Sequence, residues 1–184
     1  MPEIFRPLIK TASATCVFPS VKRWRETCPP SPIDSFIFLP GNLSMNSAKD
    51  FPEKYARAVR NSNVEEFASL YDDDVRIFDM WDEWSMRGRD SVIVMAKEWF
   101  GSLGDEHVVV TFSDIEITEN AELAILTCFV RFAGHAADGT RLRFLDERMT
   151  VNFRKNNSGE WKVIHQHTSV PIESNGMKPI HKRL

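Results

Sequence analysis

The chain is poor in cysteine, glycine and long apolar runs, and it has no excess of basic charge. Its three cysteines, Cys16, Cys28 and Cys128, are too few and odd in number for a disulfide framework. They point to a reducing compartment, and the cytoplasm is the expected location. Cys128 lies in an apolar run, Leu126 to Val130, where it reads as a small buried hydrophobe. Uninterrupted apolar stretches reach four or five residues, far short of the roughly 20 that a membrane span requires. No signal-peptide core is present in the first 30 residues, where Cys16-Val17-Phe18 is the best on offer. Lysine and arginine total 23 against 26 aspartate and glutamate, a net charge of −3. That balance argues against a nucleic-acid partner, which requires a basic face. The eight glycines fit neither a phosphate loop nor a dinucleotide fingerprint, so no cofactor is implied.

What is present falls into two parts. The first 44 residues hold seven of the ten prolines, two of the three cysteines and five basic against three acidic groups. Pro29, Pro30 and Pro32 block helices and strand ladders alike. Residues 1–46 read as a disordered or loosely packed extension. Three accounts of it stand side by side: a flexible tail, a targeting peptide carrying Arg6, Lys10, Lys22, Arg23 and Arg25, or a leader upstream of a true start at Met45. The folded domain is expected over 47–173, and 174–184 as a flexible tail.

From Asp50 the periods sharpen. Phe51, Tyr55, Ala58 and Val59 mark one helical face, and Val64, Phe67, Ala68 and Tyr71 mark another after Asn61-Ser62-Asn63. Val75 to Trp81 reads as a short strand. Asp90 is placed to cap a third helix bearing Val92, Met95, Ala96, Trp99, Phe100 and Leu103. Strands follow at 107–117, 122–133, 141–154 and 160–170, separated by turns that include Asp138-Gly139. In the third of these, Leu142 and Phe144 are out of phase with Leu145, Met149, Val151 and Phe153, which predicts a bulge or bend near Phe144. Three helices followed by long antiparallel strands make an α+β fold. A bent sheet wrapped around helices makes a cone with an apolar pocket. A sheet covered on one side leaves a free face, which is expected to form a homodimer.

Two strings carry a resemblance. The first is Leu70-Tyr71-Asp72-Asp73-Asp74-Val75-Arg76-Ile77-Phe78-Asp79 with Arg87-Gly88-Arg89-Asp90. The second is Glu147-Arg148-Met149-Thr150-Val151 with Gly159-Glu160-Trp161-Lys162-Val163-Ile164-His165-Gln166-His167-Thr168-Ser169-Val170-Pro171. Over about Asp50 to Pro171 the chain resembles the nuclear transport factor 2-like superfamily. That superfamily includes steroid delta-isomerase, scytalone dehydratase, SnoaL-like polyketide cyclases and the association domain of calcium/calmodulin-dependent protein kinase II. The resemblance implies a cone-shaped, cystatin-like fold. It does not fix the chemistry, because the same fold hosts enzymes and assembly modules.

Asp79 shares a strand face with Val75, Ile77 and Trp81, and a carboxylate in an apolar row is solvated, paired or functional. Steroid isomerase has its base at this point, and counting back without gaps puts its oxyanion-stabilising tyrosine on Tyr55. Its second donor, a protonated aspartic acid, falls on Met149, which donates nothing; Glu147, two residues earlier on that strand, is the candidate replacement. Trp81 and Trp84 are expected as pocket walls for a flat apolar ligand. The resemblance turns Thr168 inward, which brings Gln166 with it and sends His165 and His167 out, so no metal is expected from that H-x-H. Arg131 and Arg148 read as solvent-face cations. Two functions follow: a small-molecule-binding homodimer, or a cofactor-independent isomerase, dehydratase or cyclase that moves a proton on an apolar carbonyl substrate.

Overall fold

A computed structural model of the protein describes residues 44–183. The expectations for the preceding extension lie outside the described residues, apart from its last three. Among the described residues there are three α-helices, α1 (Phe51–Arg60), α2 (Val64–Ser69) and α3 (Arg89–Gly101). The strands are β1 (Tyr71–Phe78), β2 (Met86–Arg87), β3 (His107–Glu119), β4 (Leu123–His135), β5 (Arg141–Lys155) and β6 (Trp161–Ser169). They form one sheet in the order β2-β1-β6-β5-β4-β3. Every pairing is antiparallel except β1 with β6, which is parallel. The expected α+β architecture is therefore present, with one parallel pair added where the early strand docks on the last.

Local chemistry explains the helix starts. Ser47 and Asp50 form a capping box that opens a short 3₁₀ turn leading into α1, with the Asp50 carboxylate accepting from the Asn46 and Ser47 amides at 3.1 Å each. Asn63 caps α2 by accepting from the Glu66 amide at 3.0 Å. The start of α3 differs from expectation: the cap is Gly88, not Asp90, which lies in the first turn instead. Gly88 has φ +83°, and its amide donates to the Val75 carbonyl of β1 at 2.8 Å, so the chain turns tightly from β2 into the helix.

The helices cover the inner face of the sheet. At one end the core is packed with rings: Phe51 meets Tyr55 and Phe153 at 5.3 Å each, and Phe67 meets Tyr55 at 5.0 Å. These tilted and edge-on contacts are the favoured aromatic geometry. Bulges bend the sheet. The one in β5 falls at Leu142, opposite Gly134 and His135, two residues before the expected Phe144. Phe144 itself lies out of phase because it faces outward, where the Arg131 and Arg141 guanidiniums cover its ring at 4.4 and 5.2 Å. A second bulge in β3, at Asp114 (φ +50°) and Ile115, and a third at Ile164 of β6 add to the curl.

Residues at both ends of the described chain pack on the domain. Met45 belongs to the core, 1% exposed, and its carbonyl accepts from the Trp161 amide at 2.9 Å. The last residues are not a free tail. The chain turns at Glu173–Lys178, Ile172 bridges Pro179, and the Asp146 amide donates to the His181 carbonyl at 2.8 Å. The reason is the register of β6, which ends opposite Arg148 and leaves the edge of β5 before it unpaired. The returning segment fills that edge. No helix among the described residues is long and apolar enough to cross a membrane.

Candidate functional site

At the end of the sheet away from the packed rings, the core is hollow. The cavity has a volume of about 610 Å³, inside the range of roughly 300–1,000 Å³ typical of small-molecule sites. Tyr55 of α1 and Phe132 of β4 reach it from one side, and Met95 and Trp99 of α3 from another. Ile77 and Asp79 approach from the end of β1, Glu147 from β5, and Gln166 and Thr168 from β6.

The polar groups at the floor are connected. The Asp79 carboxylate accepts from the Thr168 hydroxyl at 2.8 Å and from the Met80 amide at 2.7 Å. Burial raises the Asp79 pKa, and these two donors oppose the rise. Glu147 is 5% exposed. Burial first, and then the nearby Asp79 charge, push its carboxyl up to about 8, while hydrogen bonds with Thr168 and Trp81 hold it back. At neutral pH it is therefore mostly protonated. The Thr168 hydroxyl carries one proton, which it gives to Asp79. Burial also raises the Tyr55 phenol, helped by Tyr71, Glu147 and Asp79, so it stays a neutral donor. Gln166 is held by the Tyr71 hydroxyl, which donates to its Oε1 at 2.9 Å.

Tyr55, Asp79, Trp81, Glu147, Gln166 and Thr168 thus converge on one cavity, from α1, β5, β6 and the loop after β1. Two expected residues do not. Trp84 is 97% exposed; Asp82, at φ +49°, turns the loop so that Trp81 points in and Trp84 points out. Met149 is 2% exposed and packs in the solid core instead of lining the hollow. His165 and His167 face away from the cavity and flank the Phe78 ring at 5.0 and 5.9 Å. The Arg131 guanidinium pairs with Asp146 at 2.6 Å on the outer face. Met95 of α3 was open to a cavity-lining reading from sequence, and the acids of that helix are the part missed. Asp90, Val94 and Glu98 recur every four residues and stand on the cavity side. That spacing was available, next to the more obvious apolar stripe.

The sequence matches the SnoaL-like domain family over residues 49–173, and the chain belongs to that family, within the nuclear transport factor 2-like superfamily. Solved structures agree. A nuclear transport factor 2-like protein of unknown function from Pseudomonas putida KT2440 aligns with a TM-score of 0.65 at 20% identity, over 74% of this chain and 92% of that one. A similar protein with a cystatin-like fold from Novosphingobium aromaticivorans aligns at 0.58 and 13% identity, over 70% and 84%. A Catenulispora acidiphila protein in complex with S-DNPA aligns at 0.55 and 13% identity, over 65% and 87%. Likeness at these identities concerns the fold alone. None of the curated proteins matches the sequence.

Proposed function

We propose that this domain binds one small, largely apolar carbonyl compound in the cavity and moves a proton on it without a cofactor. The reaction class is isomerisation, dehydration or cyclisation through an enolate. The observation that carries this reading is the pair of half-buried Asp79 and buried Glu147, both raised in proton affinity, with Asp79 held back by two donors and Glu147 pushed the furthest. Asp79, with two donors on its oxygen, is the base. Glu147, with its carboxyl pushed up to about 8, is the acid. Tyr55 and Glu147 together offer the two donors that a developing enolate oxygen requires. Met149 cannot supply the second, so Glu147 takes the part left vacant there. The complex of the Catenulispora acidiphila relative supports small-molecule binding by this fold.

The test is α-proton exchange. 2-Tetralone, an apolar bicyclic ketone, is incubated with the protein in D₂O and its α-protons are followed by NMR. Acceleration over buffer is expected, falling roughly 10²–10⁴-fold in Asp79→Asn, as loss of a general base does, and roughly 10²–10³-fold in Tyr55→Phe. Binding without any acceleration would leave a ligand-binding domain and end the catalytic half. We also propose a homodimer through the outer face of the sheet. Phe78 between His165 and His167, together with the half-exposed Ile125, supports it. Light scattering that gives a monomer mass at micromolar concentration would overturn it.

A further inference from the structure

The cavity carries charge of one sign. Six carboxyl side chains line it: Asp79 and Glu147 at the floor, and Asp82, Glu83, Asp90 and Glu98 nearer solvent. Among the described lining residues there is no lysine, arginine or histidine. The four outer carboxyls come from two elements that face each other across the opening, the loop after β1 and the cavity side of α3. Between rim and floor stand aromatic walls, chiefly Trp81, Trp99 and Phe132, whose ring faces attract cations. A second observation points to an occupant independently of these acids. Tyr55 is 3% exposed and lines the cavity, and no hydrogen bond among the described residues engages its hydroxyl. That hydroxyl opens on the cavity instead of being sealed in the core, which leaves it to donate to an acceptor on the ligand.

We propose that the ligand is an amphipathic amine, with a carbonyl or similar acceptor directed at Tyr55 and a protonated nitrogen seated among the rim carboxylates. This inference rests on the reading of the cavity as a small-molecule site and narrows its substrate class. Coulomb attraction in a cleft with low-dielectric walls is stronger than in open water. The same field repels carboxylates and phosphates, so acyl-carrier and phosphorylated compounds are excluded. The arrangement also separates two tasks. The rim selects by charge, and the floor, where Glu147 is uncharged at neutral pH, handles the proton.

A charge series on one carbon skeleton tests this: 1-naphthylmethylamine, 1-naphthylmethanol and 1-naphthoate, titrated calorimetrically into the full chain at low salt. The expected order is amine, then alcohol, then carboxylate, with about tenfold or more between the first and last at low ionic strength. Raising the salt, or the double substitution Glu83→Gln with Glu98→Gln, narrows the gap between amine and alcohol. Both sites are exposed, so the variant is expected to fold. Carboxylate binding as tight as amine binding, with the alcohol also bound, overturns this inference and leaves the small-molecule site standing. Failure of all three to bind overturns both.

Discussion

The two ends of this domain use the same elements in opposite ways. Along the inner face of β5 the sequence runs Leu145, Glu147, Met149, Val151, Phe153. Toward the Phe153 end the row meets Phe51, and the space between sheet and helices is filled. Toward Glu147 it meets a hollow of about 610 Å³. β6 repeats the pattern, with buried Trp161 and Val163 at the filled end and Gln166 and Thr168 at the hollow one. The lesson is that one end holds the fold together and so allows the other to keep the buried Glu147 and the half-buried Asp79, whose raised proton affinities cost stability as pH rises.

Four measurements break or sharpen that contrast. Phe51→Ala, at the filled end, is expected to cost roughly 3–5 kcal/mol in denaturant unfolding, since it leaves a cavity where three rings meet. Glu147→Gln, at the hollow end, is expected to do the reverse above neutrality. A carboxyl with a raised folded-state pKa keeps a proton that the unfolded chain has released. Stability therefore falls as pH rises from about 4.5 to about 8, and flattens beyond it. Asp79, raised in the same direction, adds to the slope. The glutamine variant flattens Glu147's share and is more stable than the parent at pH 8, by about 1–3 kcal/mol. Thermal unfolding across the pH range reads this directly, and a variant that keeps the parent's slope would refute it.

Thr168→Val has a smaller effect, roughly 1 kcal/mol, but a diagnostic one. Its hydroxyl lowers the Asp79 pKa, so the valine variant should titrate Asp79 higher still, as followed by carbon NMR. Trp84→Ala is expected to change stability by less than about 0.5 kcal/mol, because the indole projects into solvent. A large loss there would mean that a partner covers it.

Much of this was legible in the sequence, for reasons that differ by residue. Helix and strand periods placed Phe51, Tyr55, Val151 and Phe153 because burial on one face imposes a period on side-chain type. Asp79 was legible as an acid in an apolar row. Glu147 stands in a similar row, with Leu145, Met149, Val151 and Phe153, but its candidacy came through the resemblance, as a neighbour of Met149. Trp84 was misread because Trp81-Asp82-Glu83-Trp84 has no period: a single positive φ at Asp82 decides which indole turns inward. Backbone hydrogen bonds hold the C-terminal segment to β5, and those leave no side-chain pattern to read. The rim acids of α3 were visible individually, but a helix surface rich in charge is the ordinary appearance of a solvated face.

Glu147 holds a proton at neutral pH inside the hollow, and the split into acid and base rests on it. Its carboxyl carbon can be followed by NMR through a pH titration of the folded protein, assigned by comparison with Glu147→Gln. The expected result is a midpoint near 8. A midpoint near the ordinary glutamate value of about 4.3 would contradict it, and with it the division of the two carboxyls into acid and base.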